Sequence, residues 1–165
     1  MIGGAAGGNA LPPSYDIQVF ALTIHTGRLL ELWLEHPVTR QDADGCGVQL
    51  RQILATRSDR LVVATDLVQT RTLPPDVADA FIAHMRADNA RIERSGFLIA
   101  EDAATFALQL ERMIKEAANT SRRVFRSSPD WQAWVAEPLT PDEARRLRAF
   151  AAERAAAAVF ARTRR

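Results

Sequence analysis

Cysteine, tyrosine and lysine are all but missing from this chain of 165 residues, where Cys46, Tyr15 and Lys115 are the sole examples of each. One cysteine excludes an intramolecular disulfide and a thiolate metal cage. An excess of charge is lacking too: the formal net charge is +1, so no basic field points to nucleic acid and none is expected as a partner. Histidine is confined to His25, His36 and His84, without HxH or HxxxH spacing, so neither a metal nor another cofactor is expected. No apolar run approaches the roughly 18 residues of a membrane span. Residues 1–9 have neither the basic start nor the apolar centre of a secretory signal. A cytoplasmic protein without a transmembrane segment is the expectation.

What is present is ordinary for a globular domain, with 47% hydrophobic and 25% charged residues. All basic residues but Lys115 are arginine, scattered over every segment, which reads as codon usage rather than a designed anion site. Residues 1–14, Gly- and Ala-rich as far as Pro12-Pro13, read as a flexible arm. Strand formers fill Asp16 to Thr26, and Thr26-Gly27-Arg28 supplies a turn. Leu29 to Val38 then alternates Leu30, Leu32 and Leu34 with Glu31, Trp33 and Glu35, which predicts a hairpin whose second strand is half exposed. Asp42 or Asp44 caps a short helix whose start Gly45 and Gly47 weaken.

Leu61 to Val68 is an almost unbroken apolar run, as in an interior strand. Pro74-Pro75-Asp76 opens a helix burying Val77, Ala80, Phe81, His84 and Met85. A strand over Ser95–Ala100, a helix from near Asp102, and a short strand at Val124-Phe125 follow. Ser128-Pro129-Asp130 starts a piece carrying Trp131 and Trp134, a pair read as docking a terminal helix on the sheet, with an interface anchor as the alternative. Thr140-Pro141-Asp142-Glu143 has the cap, proline and glutamate of a capping box.

This element order, the Asp66-Leu67 strand end, the Phe106-Ala107-Leu108-Gln109-Leu110-Glu111-Arg112-Met113 helix and the Trp131-Gln132-Ala133-Trp134 to Leu139-Thr140 tail resemble the SpoIIAA-like (STAS-like) family over about residues 15–150. The resemblance implies a compact α/β domain acting in bacterial signalling by binding another protein, without catalysis. In the antagonist branch an Asp-Ser-Ser/Thr-Gly motif follows the Asp-Leu strand end, and a partner kinase phosphorylates a serine there to break the complex. The corresponding stretch here, Gln69-Thr70-Arg71-Thr72-Leu73-Pro74-Pro75, has no serine. Thr70 and Thr72 are the candidate phosphate acceptors, against the plainer reading that they satisfy loop backbone and cap the helix.

The expectation is a STAS-like α/β domain over 15–152, an N-terminal β-hairpin joined to a mixed sheet of about five strands with about four to five helices. An Ala/Arg-rich helical extension over 153–165 follows it. Its function is that of a non-enzymatic adaptor, with an interface of Asp66, Thr70, Arg71, Thr72, Asp76, Asp79 and Arg86. A lipid or small apolar ligand carrier is the alternative, requiring an apolar pocket of several hundred cubic ångströms. An enzyme ranks third, with Cys46 or Asp66 in reach of a histidine. Cys46 beside two glycines at a helix start would have a lowered pKa, and His25 and His36 would meet across the hairpin. Asp66 accepts backbone hydrogen bonds in the turn after its strand, or serves function at the sheet's carboxyl edge. Asp42-Ala43-Asp44-Gly45 reads as a helix start rather than a calcium loop, because Cys46 and Ile53 stand where loop ligands belong. Arg91, Arg94, Arg122, Arg123 and Arg126 gather near the last strands. Residues 140–165 hold seven arginines against Asp142, Glu143 and Glu153, read as a solvated face. Trp33 and the alanine-rich last helix would serve a homodimer.

Overall fold

Two strands, β1 (Phe20–Thr23) and β2 (Leu29–Leu34), precede a regular alternation of helix and strand. The series continues with α1 (Arg40–Ala55), β3 (Leu61–Leu67), α2 (Pro75–Asp88), β4 (Ile92–Ile99), α3 (Ala104–Glu116), β5 (Arg122–Phe125), α4 (Ser128–Ala136) and α5 (Pro141–Thr163). The computed structural model describes residues 18–163, so the arm expected over 1–14 lies outside the described residues.

The five strands form one mixed sheet in chain order, β1 antiparallel to β2 and every later pair parallel. Parallel neighbours must be joined by crossovers. With the strands in chain order, α1, α2 and α3 pack together on one face, where Ala43, Val77, Ile82, Phe106 and Leu110 meet Leu34, Leu67 and Ile99. After β5 the chain passes to the other face, where Trp131, Val135, Leu147 and Phe150 of α4 and α5 pack on Leu29, Val62, Ala64 and Leu98. All residues of β3 are buried because helices cover both its sides, which is why it reads as a continuous apolar run.

The pairing register sets which side chains share a face. Leu30, Val63, Ser95 and Arg122 form one row beneath α1–α3, and Leu32, Thr65, Phe97 and Val124 form the next. The intervening positions, including Glu31, Trp33 and Asp66, turn toward α4 and α5.

That second face corrects the expectation of a half-exposed β2. Glu31 is only 3% exposed. Arg146 of α5 reaches down and donates from Nε and Nη2 to its two carboxylate oxygens at 2.6 and 2.7 Å. Eight residues on, Arg154 donates to Asp66 Oδ2 at 2.8 Å and to Glu35 Oε1 at 2.7 Å, with its guanidinium 4.6 Å from the Trp33 ring centre. Apolar–acidic alternation reads alike whether water or a layer of arginines covers the acidic side. Trp33 is therefore half-buried beneath α5 rather than displayed on an outer face. Residues 153–163 continue the same helix, and Arg154 ties them to the sheet.

The amino end of α5 is fixed just as firmly. Thr140 and Glu143 form the expected capping box, Glu143 N donating to Thr140 Oγ1 at 3.3 Å and Thr140 N to Glu143 Oε2 at 2.8 Å. The other Glu143 oxygen accepts from Arg28 N in the hairpin turn at 2.7 Å. Gly27 has φ +56°, and the Glu143 carboxylate fills the place a Cβ would take, so a side chain is excluded twice over. Helix α1 is longer than expected because Thr39 is its cap, with Asp42 at the third position completing a capping box. On α4, Trp131 is fully buried and donates from Nε1 to Gly96 O at 3.0 Å, while Trp134 packs on Phe125.

Removing one partner of a buried bidentate pair leaves the other charge stranded, so Glu31→Ala is expected to cost about 3 kcal/mol in urea unfolding. Glu31→Leu combined with Arg146→Met should recover most of that loss. Burial pushes the Glu143 carboxyl up, but the N–H groups of Arg28 and Thr140 outweigh it and hold the pKa below the ordinary value. Its stabilisation is complete above the unfolded pKa and is lost as pH falls through the depressed folded value. Melting temperature is accordingly expected to fall more steeply on acidification for the wild type than for Glu143→Gln.

Candidate functional site

Strands β3 and β4 both end at the carboxyl edge of the sheet, the edge where open α/β sheets place their ligands. The loop after β3 is clamped by Gln109 of α3, whose side-chain amide accepts from Leu73 N at 2.7 Å and donates to Leu73 O at 2.8 Å. The loop after β4, Ala100-Glu101-Asp102-Ala103, leads into α3, whose cap position, Ala103, offers no side-chain acceptor. Between these loops and the last turns of α5 lies an open groove of about 800 Å³, whose rim includes His36, Arg71, Thr72, Asp102, Thr105 and Arg162. A second hollow of about 500 Å³ adjoins it along Val68, Ala100, Asp102 and Arg162, and adds Glu101, Arg126 and Ser128.

The arginines of this edge differ from most others in the protein. Among the described residues, only Arg71, Arg126, Arg148 and Arg162 have side chains in no hydrogen bond, ion pair or ring contact. Three of those four border the groove or the hollow beside it. The uncapped amino end of α3, at Ala103 to Phe106, lines the groove as well and adds the partial positive charge of its free N–H groups.

The residues expected to form an interface divide into three groups. Asp66 and Thr70 lie inside. Asp66 Oδ1 accepts from Val68 N at 2.8 Å, the turn-stabilising role anticipated for it, and Oδ2 is held by Arg154. The Thr70 hydroxyl is buried and donates to Leu34 O at 2.6 Å, satisfying loop backbone rather than presenting itself to a kinase. Arg71 and Thr72 are exposed on the groove. Asp76, Asp79 and Arg86 are exposed along α2 and do not border the groove; Arg86 Nε donates to Glu116 O at 2.8 Å.

Behind the groove, between the sheet and α1–α3, is an interior cavity of about 90 Å³ with predominantly apolar walls. This is well below the several hundred cubic ångströms that the carrier reading requires. Four buried polar atoms of its lining residues have no hydrogen-bond partner: Thr65 Oγ1, His84 Nε2, Asp88 Oδ2 and Arg122 Nε. His84 lies against Gly47, where a Cβ would collide with its ring, and Nδ1 is 3.2 Å from Arg51 Nη1. The nearest carboxylate oxygen to Nε2, on Asp44, is 3.5 Å away, beyond a sound hydrogen bond. Burial raises the Asp88 pKa against the pull of Arg51, His84 and Arg122, and burial lowers Arg122 to about 10 against the pull of Asp88.

Cys46 lines the same cavity, and its expected activation is overturned. It lies inside α1 rather than at a helix start, and burial, then Asp88, pushes its thiol up to about 12. His25 and His36 follow antiparallel strands, so they fall at opposite ends of the hairpin instead of meeting. His25 Nδ1 is 3.2 Å from Glu31. Among the described residues, no hydrogen bond joins Cys46 or Asp66 to a histidine, and no group of three His, Cys, Asp or Glu could hold a metal.

The interior polar group escaped sequence reasoning, although its signal was present. His84 and Asp88 are four apart on one face of α2, and Thr65, Ser95 and Arg122 share the inward parity of their strands. No protein-family model matches the chain, and no curated protein or solved structure matches it.

A thiol with a pKa of about 12 is only about one part in ten thousand thiolate at pH 8, against roughly a quarter for a free cysteine. Cys46 is thus expected to react with a disulfide reagent at least about a hundredfold more slowly in the native protein than in urea.

Proposed function

We propose that the protein is a non-enzymatic, STAS-like adaptor that binds an acidic segment of a partner protein at the carboxyl edge of its sheet. The observation that carries this reading is the gathering of Arg71, Arg126 and Arg162, all without internal partners, around the groove and the adjoining hollow. Arginine presents a planar fork that takes a carboxylate bidentately and sheds water more readily than an ammonium. Arginines already bound to the protein's own carboxylates would gain little by this; unpaired ones can give the whole interaction to a partner. Glu101 and Asp102 on the same rim set the register, rejecting segments whose acidic residues fall opposite them.

In this reading Thr72 replaces the family's missing serine as the regulated position. Phosphate there would place nearly two negative charges beside Arg71 and compete with the partner's carboxylates. Thr70 has no such role, because its hydroxyl is buried against Leu34 O.

Arg71→Glu combined with Arg162→Glu is expected to abolish recovery of bound proteins from native lysate. Arg148→Glu, an exposed α5 position bordering none of these hollows, should leave recovery unchanged. Wild-type recovery should fall as salt is raised. Equal recovery by all three proteins, or capture of nothing by the wild type, would overturn the proposal.

A further inference from the structure

We infer that the interior cavity is a binding site for a small uncharged molecule with a short apolar body and one hydrogen-bonding head, in the class of short-chain carboxamides and alcohols. This stands independently of the partner reading above.

As it stands, the site is costly to the fold. A buried polar atom without a partner destabilises the fold, and folded proteins hold few of them. Here four belong to residues lining a single cavity. Thr65, Asp88 and Arg122 are 1%, 5% and 9% exposed, so bulk water does not serve them. Elsewhere the fold satisfies its buried charges well, as Glu31 and Asp66 show.

The unpartnered atoms also converge on the cavity from three elements, β3, β5 and α2. Arg122 pairs with Ser95 across β4 and β5, and Thr65 stands one row further along the same face. His84 and Asp88 come down from α2, one turn apart. The Arg122 guanidinium is held against α2 by Nη2, which donates to Met85 O and Asn89 Oδ1, both at 3.2 Å. Its Nε remains as a free donor, and Asp88 Oδ2 as a free acceptor.

The character of the occupant follows from charge and size. Asp88 and Arg122 bring one charge of each sign to the same cavity, so a charged head would add an uncompensated buried charge. A hydrocarbon would satisfy neither atom. A hydroxyl or carboxamide donates to Asp88 and accepts from Arg122 with the same head. The remaining wall, including Leu32, Val63, Phe97, Leu110 and Met113, suits a short aliphatic body. An engineered apolar cavity of about 150 Å³ binds benzene with its six heavy atoms, so a space of about 90 Å³ fits a molecule of about three or four. Water alone could meet the polar end but would leave the apolar remainder empty. Thr70 and Phe106 line both the cavity and the groove, which places the cavity directly beneath the open edge.

The test titrates the full chain with acetamide and 1-propanol, and with acetate and propylammonium as charged counterparts of matching size, read by amide NMR shifts and thermal melts. Saturable one-to-one binding of a neutral probe is expected, with shifts at Thr65, Asp88, Ser95 and Arg122, a raised melting temperature, and at least about tenfold weaker binding of both ions. Thr65→Val, nearly isosteric, should weaken binding several-fold. Cys46→Leu, which extends a side chain into the cavity, should abolish it while its melting curve reports an intact fold. Absence of saturable shifts at these residues with either neutral probe would overturn the site, as would charged probes binding equally well. Unchanged binding by Cys46→Leu would overturn it too.

Discussion

Arg146 and Arg154 hold the C-terminal helix on the sheet through Glu31, Asp66 and Glu35, and the second face of the protein depends on those contacts. Helix α5 is 23 residues long, yet its buried side chains are Glu143, Leu147 and Phe150. So thin an apolar stripe would not choose one position on a sheet. Two guanidinium groups eight residues apart do choose, because each must meet a fixed carboxylate. Without them Glu31 and Asp66 would be charges stranded on central strands, a state far costlier than the pairing. Glu143 fixes the third point by joining the start of the helix to the hairpin turn.

That placement governs the carboxyl edge. The last turns of α5 bring Ala158, Ala161 and Arg162 to the groove, opposite the loop that Gln109 clamps to α3. The unpaired arginines border a groove whose wall is itself held by paired arginines. Identical side chains thus do opposite work, set by whether a carboxylate of the same chain lies within reach.

The two faces of the sheet also treat polarity differently. On the α4–α5 side every strand carboxylate is met by a donor aimed at it. On the α1–α3 side Thr65, Asp88 and Arg122 keep atoms without partners around a small void. On β3 the two sets are neighbours, Thr65 turning to one face and Asp66 to the other. One is a finished joint; the other is a site with room for something more.

Much of this could be read from the chain. The unbroken apolar run of β3, the proline start of α2 and the Thr140–Glu143 capping box are local signals, set by helix and strand periods and by backbone donors needing acceptors, so they predict elements that the structure contains. The exposed Arg71 and Thr72 were legible for the same reason, as polar residues in a turn after a buried strand. Local chemistry does not reveal which distant element covers a face. Glu31 and Trp33 read as solvent-facing because their cover, α5, lies more than a hundred residues away. Cys46, beside two glycines, read as activated, but burial and then the charge of Asp88 give its shift the opposite sign. Asp88 and Arg122, on a helix and a strand 34 positions apart, come to one cavity only when α2 packs on the sheet. Period and capping determine which elements form; long-range charge pairing and burial decide which of their side chains are spent on the fold and which are left free to act.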